Sequence, residues 1–152
     1  MSNNTCAKGR AGEFFVAFIL SKHFHIESFL VDKTEDDLWV RHPDGSIKRV
    51  QVKSALPKKG RANRGAYTYL QRREPDCDYH AFVALDLDLA ILEPSSFLRQ
   101  RKHLTFYPED FTFENMILSF QQTLDVQALA YWNYTNEKLC KTCWQAQQVK
   151  LT

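Results

Sequence analysis

The sequence has 152 residues, of which 44% are hydrophobic and 25% are charged. A chain of this length and composition is sufficient for one folded domain with a hydrophobic core, which excludes the disordered and fibrous classes. Twenty Lys and Arg residues against eighteen Asp and Glu residues give a formal net charge of only +2, so the total charge does not point to a polyanionic partner.

The first half of the chain predicts a helix followed by strands. Residues 7–24 favour a helix with apolar side chains on most sides of its middle, and residues 25–31 favour a short strand. Residues 38–40 and 47–52 predict two strands joined across His42-Pro43-Asp44-Gly45-Ser46, where Pro and Gly favour a turn. These two strands are therefore expected to form a hairpin.

The second half predicts an exposed loop, two strands and then helices. Residues 57–73 combine Pro, Gly and Asn with dense basic charge, which is typical of a long exposed loop. Strands are expected over residues 81–85 and 90–92, and helical patterns over residues 95–100, 108–120 and 126–144. This order indicates an α/β fold in which helices cover a sheet.

The basic residues are concentrated in one part of the chain. Residues 47–73 contain no Asp or Glu, whereas residues 104–137 contain five carboxylates and neither Lys nor Arg. This distribution predicts one surface that attracts phosphate. The basic residues of the first segment are Lys48, Arg49, Lys53, Lys58, Lys59, Arg61, Arg64, Arg72 and Arg73.

The basic segment is a candidate DNA-binding surface, although an ordinary solvated loop is the alternative. Lys and Arg neutralise phosphates, Arg and Asn hydrogen-bond to base edges, and Tyr packs on sugars or bases. The predicted DNA-binding residues are Ser54, Lys58, Lys59, Arg61, Asn63, Arg64, Tyr67, Tyr69, Arg72 and Arg73.

The predicted hairpin brings polar side chains together on one face. A loop centred on position 44 places Asp37 opposite Gln51, and a loop centred on position 45 places Asp37 opposite Lys53. A two-residue turn would instead place Asp36 opposite Lys53. We favour Asp37, because it directly precedes the apolar residues 38–40.

These residue types suit metal-assisted phosphate chemistry. Magnesium prefers oxygen ligands, which the Asp37 carboxylate and the Gln51 amide can supply. The Lys53 ammonium beside such a cation can orient or deprotonate water, or stabilise charge on a phosphate.

Three stretches of the sequence carry a resemblance to a known family. They are Gly9-Arg10-Ala11-Gly12-Glu13 in the first helix, Asp37-Leu38-Trp39-Val40, and Val50-Gln51-Val52-Lys53-Ser54-Ala55. Together they resemble the PD-(D/E)XK nuclease superfamily, and within it the bacterial group I intron-encoded homing endonucleases, whose third motif reads Gln-Val-Lys-Ser. Residues 78–83 (Asp-Tyr-His-Ala-Phe-Val) and Leu92-Glu93-Pro94 also resemble the later strand of this group and the turn that follows it, so the resemblance covers about residues 7–98.

The resemblance implies a restriction-endonuclease-like core of order α-β-β-β-α-β, with a mixed central sheet flanked by helices. It implies that Glu13 is the helix acid, Asp37 the metal-binding aspartate, Gln51 the residue at the (D/E) position and Lys53 the lysine. The implied catalytic set is these four residues, and the implied metal ligands are Asp37, Gln51 and Glu13. The implied cofactor is Mg²⁺, for which Mn²⁺ substitutes.

The sequence thus predicts a single nuclease domain over residues 1–152, with a catalytic core at 7–98 and a helical extension at 99–152. We expect an endonuclease that acts on double-stranded DNA; a non-catalytic DNA-binding module and a Holliday-junction resolvase are the alternatives. One such site cuts one strand, which predicts a homodimer or homotetramer. The many aromatic residues of the extension indicate core packing or, alternatively, an oligomer interface.

The expected location of the protein is the cytoplasm, in association with the nucleoid. The longest apolar run, Phe14–Leu20, has seven residues, whereas a membrane span needs about twenty. Four scattered cysteines fit a reducing compartment. Cys140 and Cys143 form a lone CxxC pair, which we interpret as two ordinary thiols on a late helix.

Overall fold

The computed structural model describes residues 2–31, 36–71, 76–98 and 101–128. The helices are α1 (Ser2–Phe24) and α2 (Phe113–Leu124). The strands are β1 (Ser28–Leu30), β2 (Leu38–Arg41), β3 (Ile47–Ala55), β4 (Tyr67–Leu70), β5 (Tyr79–Ala84), β6 (Leu89–Pro94) and β7 (His103–Phe106). Short 3-10 helices cover Arg61–Asn63, Ser95–Leu98 and Pro108–Asp110.

The strands form a mixed central sheet in the order β1-β2-β3-β5-β6. The pairing is antiparallel throughout except between β3 and β5, which run parallel. β4 and β7 pair with each other in a separate two-stranded antiparallel sheet. The α/β class with a mixed central sheet is therefore confirmed.

The hairpin between β2 and β3 adopts the first of the expected registers. Leu38 lies opposite Val50, and the His42 N–H donates to the Ser46 carbonyl at 2.8 Å. The Asp44 carboxylate accepts from the Ser46 N–H at 2.8 Å and closes the turn. The loop is thus centred on position 44, which is the register that directs Asp37 toward Gln51.

One face of the central sheet packs against both helices. α1 uses one side for this contact, and it leaves Phe14 and Phe18 exposed at 55% and 51%. The helix whose middle carries apolar side chains on most sides is therefore buried on one side only. The core on this face includes Val16, Ile19, Leu20, Leu38, Val50, Ala81, Leu92, Met116, Ile117 and Phe120.

The opposite face packs against β4 and β7 through a second core that contains Tyr67 and Tyr69, which are 1% and 4% exposed. The Tyr67 hydroxyl donates to Asp86 at 2.8 Å, and the Tyr69 hydroxyl donates to the Val83 carbonyl at 2.9 Å. The prediction that these tyrosines contact DNA is therefore wrong. The alternating Tyr-Thr-Tyr-Leu segment is a half-buried strand and not part of an exposed loop.

Two further segments differ from the expectations. In the described part of the β3–β5 crossover, the 3-10 helix Arg61–Asn63 and β4 stand where the resemblance implies an α-helix. The expected helical extension contains the strand β7 before α2. Most of the predicted helix over 126–144, the aromatic residues after 128 and the Cys140–Cys143 pair lie outside the described residues. Among the helices described, neither is long and apolar enough to cross a membrane.

Candidate active site

Asp37 is held against β3 at the start of β2. β3 has nine residues and β2 has four, so β3 continues past Leu38. There the Val52 N–H donates to Asp37 Oδ2 at 2.7 Å, and the Asp37 N–H donates to the Val50 carbonyl at 3.0 Å. Backbone and side chain are thus both fixed, and no hydrogen bond from the described residues is made to the second carboxylate oxygen.

The Asp37 carboxylate lies in a partly desolvated environment between positive charges. Burial raises the pKa of Asp37, while the Val52 N–H and the charges of Lys53 and Arg10 act in the opposite direction. The negative charge of Asp36 makes a smaller contribution, which also raises the pKa of Asp37. Burial disfavours the ionised form of this carboxylate, and a cation that binds the carboxylate would stabilise that ionised form.

Asp36, the alternative aspartate, makes structural contacts. Its Oδ2 accepts from Trp39 Nε1 at 3.1 Å and lies 4.0 Å from Arg49 Nη1, and the residue is only 5% exposed. The structure therefore places Asp37, and not Asp36, beside the Val52 N–H. The role of Asp37 as a metal ligand remains a prediction.

Lys53 lies two residues after Gln51 in β3, so the two side chains are on the same face of the strand. Burial raises the pKa of Asp37 and the charge of Lys53 acts against that rise; burial also lowers the pKa of His80 on β5, and the charge of Lys53 adds to this lowering. The electrostatic role of Lys53 stays a prediction.

Gln51 contacts β5, on the side of β3 away from Asp37. It is paired with His80 in the parallel ladder, and its Oε1 lies 3.0 Å from His80 Nε2. Burial, reinforced by the charge of Lys53, lowers the pKa of His80 to about 4, so the imidazole is neutral at pH 7. The histidines of the sequence have no metal-like spacing, which alone predicts a structural role for His80; its partner Gln51 is 29 positions away.

The row of polar side chains continues onto β6. Glu93 lies opposite His80 in the β5–β6 ladder, so Gln51, His80 and Glu93 share one face across three neighbouring strands. Burial raises the pKa of Glu93. Sequence reasoning missed this acid as well; only the pairing of the strands brings it into the row.

Glu13 lies on α1, which packs closely on β3 over Val52 and Ser54. Its Oε2 accepts from Arg10 Nη1 at 2.9 Å, and the charge of Arg10 also acts on Asp37. A Cβ added at Gly12 would overlap Ser54 Oγ, so the glycine permits the close approach. Ser54 Oγ is itself buried under α1, although the residue as a whole is half-buried, and contact of Ser54 with DNA stays a prediction.

The segment that follows β3 forms a closed basic loop, which we define as residues 58–66. The Lys58 N–H donates to the Ala66 carbonyl at 2.8 Å and ties its base. Arg64 lies over the Tyr107 ring at 5.0 Å and 3.8 Å from Glu109. Exposed side chains in this loop are Lys58, Lys59, Arg61, Asn63 and Arg64; the other predicted DNA-binding residues, Arg72 and Arg73, lie outside the described residues.

The donor set fits a hard cation that keeps most of its water. Among the described residues, no three His, Cys, Asp or Glu side chains are grouped as a metal site, so a protein cage is not present in that part of the chain. Magnesium is commonly bound by one or two carboxylates together with water and substrate phosphate. Asp37 supplies one such carboxylate, Glu13 is a second candidate, and Gln51 offers a neutral oxygen.

The fold is similar to that of a solved bacterial homing endonuclease, I-Ssp6803I. The two structures have a TM-score of 0.57 and 19% sequence identity, over 67% of this chain and 77% of that chain. At this identity the similarity concerns the fold, and it confirms the expected nuclease-like arrangement of a mixed sheet flanked by helices. No family model and no curated protein sequence matches this chain.

Proposed function

We propose that this protein is a metal-dependent endonuclease of the homing or restriction-like type, which hydrolyses phosphodiester bonds in double-stranded DNA. The observation that carries the proposal is the Asp37 carboxylate, held by the Val52 N–H at 2.7 Å with the charge of Lys53 acting on it. The similarity of the fold to that of a homing endonuclease supports the same function.

Each side chain has a distinct role in this proposal. Asp37 binds the divalent cation, with Gln51 and Glu13 as the further ligands. Magnesium or manganese, when bound, supplies positive charge at the phosphate and a water of lowered pKa. Lys53 orients the attacking water or stabilises the charge that develops on the phosphate. Arg10 balances the charge of Glu13, to which it is hydrogen-bonded.

The basic loop places the DNA backbone beside this site. Lys53 and the loop residue Lys58 are five positions apart, which limits their separation to about 18 Å. Cutting both strands requires two sites related by symmetry, so we propose a homodimer or homotetramer. A protein that binds DNA in this way would be found with the nucleoid.

The test is the nicking of supercoiled plasmid by the purified protein in Mg²⁺ or Mn²⁺. We expect the unmodified protein to nick, and Lys53→Ala and Asp37→Ala to lose nicking while gel-shift affinity for the plasmid is largely kept. Asp36→Asn is the matched control, because it keeps an acceptor for Trp39 and should still nick. If Asp37→Ala cuts normally while Asp36→Asn is inactive, the assignment of the aspartates is wrong.

A non-catalytic DNA-binding module is the second candidate function. The observation that favours it is Gln51, a neutral side chain at the position where the wider PD-(D/E)XK superfamily carries an acid, with its oxygen 3.0 Å from His80. In the same assay, a gel shift without nicking in either metal would support the module and exclude the nuclease.

A further inference from the structure

His80 is held in one orientation by contacts on both ring nitrogens and on one ring face. Nε2 lies 3.0 Å from Gln51 Oε1, and Nδ1 lies 2.9 Å from Ser95 Oγ. The ring stacks on Phe82 with centroids 6.1 Å apart and an angle of 19° between the planes. The residue is fully buried, so water does not compete for these contacts.

The hydrogen bonds around His80 are mutually consistent in one direction. A neutral imidazole carries one N–H and one acceptor nitrogen. If Nε2–H donates to the Gln51 oxygen, Nδ1 accepts from the Ser95 hydroxyl. Ser95 is itself buried, and its backbone N–H donates to the Asp78 carbonyl at 2.9 Å. The ring is thus anchored through Ser95 to the backbone that leads into β5.

The contact explains why an amide suits position 51. The carbonyl oxygen of Gln51 has two lone pairs, and His80 occupies only one of them, so the other can serve a ligand. A carboxylate at the same place would lie beside a buried imidazole and favour its protonation. With an amide at position 51, the side chains of Gln51 and His80 are both neutral, so their contact buries no charge.

We propose that His80 is a positioning residue for Gln51, whose amide oxygen it holds in one direction so that the second lone pair is available to the divalent cation bound by Asp37. This inference rests on the proposed function, because it assigns Gln51 to the same metal site. His80 does not touch the cation or the DNA; it acts through Gln51.

The first test measures the affinity of the protein alone for Mn²⁺ by titration calorimetry. We expect His80→Phe, which removes both ring nitrogens, to weaken Mn²⁺ binding about tenfold, as is typical when the support of a metal ligand is lost. His80→Gln keeps an N–H donor near the position of Nε2 and should restore most of the affinity. In a Gln51→Ala background, His80→Phe should have no further effect.

The second test uses the unmodified protein, which avoids the question whether His80→Phe folds. Nitrogen NMR of the imidazole should find the proton on Nε2 and none on Nδ1. A proton on Nδ1 would overturn the inference, as would unchanged Mn²⁺ affinity in folded His80→Phe or an equal loss in the Gln51→Ala background.

Failure of the proposed function is distinguishable from failure of this inference. If Asp37→Asn leaves the Mn²⁺ affinity unchanged, the proposed metal site is wrong and the inference falls with it. If Asp37→Asn lowers the affinity while His80→Phe does not, the metal site stands and only the role of His80 is overturned.

Discussion

Asp37 combines a fixed hydrogen bond with an unfavourable environment for its charge. The Val52 N–H holds the carboxylate at 2.7 Å, yet burial is the largest influence on its pKa and raises it. In the metal-free protein, a carboxylate held where its ionised form is disfavoured reduces the stability of the folded state. Such destabilising residues are common at sites that serve binding or catalysis.

We therefore predict that Asp37→Asn stabilises the metal-free protein at pH 7. Because the folded pKa of Asp37 is raised, folding favours the protonated form; its contribution to stability is full below the unfolded pKa of about 3.9 and is lost as the pH rises through the folded value. The gain in Tm from Asp37→Asn should therefore be present at pH 7 and absent well below pH 3.9. Thermal unfolding followed by circular dichroism at the two pH values measures it.

Asp44 provides a control of opposite sign. Its hydrogen bonds from Ser46 lower the pKa of Asp44 to about 2, so its charge stabilises the folded state above the unfolded pKa, and this contribution is lost as the pH falls through about 2. Asp44→Asn should lower the Tm at pH 7. If Asp37→Asn also lowers the Tm at pH 7, the inference that ionised Asp37 destabilises the metal-free protein is wrong. Added Mg²⁺ should raise the Tm of the unmodified protein more than that of Asp37→Asn.

At the scale of elements, the contact of α1 with β3 depends on a single glycine. A Cβ at Gly12 would overlap Ser54 Oγ and lie 3.2 Å from Ser54 Cβ. Ser54 Oγ is buried and makes no hydrogen bond within the described part of the chain. The small residue and the short side chain together let the helix approach the strand, and Glu13 is the next residue along that helix.

Gly12→Ala is predicted to destabilise the fold by about 1–3 kcal/mol, because the added methyl group must displace Ser54 or push α1 away from β3. Chemical denaturation gives the change in the free energy of unfolding. If the close approach of α1 positions Glu13, Gly12→Ala should also reduce nicking. The double variant Gly12→Ala with Ser54→Ala should recover part of the lost stability.

Gly9→Ala is the matched control on the same helix. A Cβ at Gly9 would meet nothing within 4 Å, so this change should stabilise the helix by roughly 0.5–1 kcal/mol, as Ala does relative to Gly in helix interiors. Equal effects of the two substitutions would show that the contact with Ser54 is not what constrains position 12.

At the scale of the whole molecule, a near-neutral net charge conceals a basic loop next to the candidate site. Four cationic side chains are exposed in the loop, namely Lys58, Lys59, Arg61 and Arg64. Arg64 lies 3.8 Å from Glu109 and over Tyr107, so Lys59 and Arg61 are better choices for testing contact with phosphate.

We predict that Lys59→Gln with Arg61→Gln weakens binding to plasmid DNA and reduces the salt dependence. Each phosphate contact contributes about 0.9 to the slope of log K against log salt, so the loss of two contacts should reduce the slope by about 1.8. Gel-shift titrations over a series of salt concentrations measure the slope.

Lys22→Gln with Arg41→Gln removes the same charge from other elements, the last turn of α1 and the end of β2. This double variant should leave the slope nearly unchanged. If the two double variants reduce the slope equally, binding responds to net charge and the loop has no special part in it.

The sequence by itself determined the strands of the hairpin, the face that Gln51 and Lys53 share, and the basic character of the segment that follows. These features are local: side chains alternate along a strand, Pro and Gly mark the turn, and charge is read directly. The α/β class followed from the order of such elements.

Only the tertiary structure decided which of the possible contacts form. The turn geometry selected the register that places Asp37 beside the Val52 N–H. The parallel pairing of β3 with β5 joined Gln51 to His80, 29 residues away, and the pairing of β4 with β7 buried two tyrosines that the basic composition around them had suggested were exposed. Alternation specifies which side chains share a face of a strand, but it does not specify the neighbouring strand, because that depends on packing between distant segments.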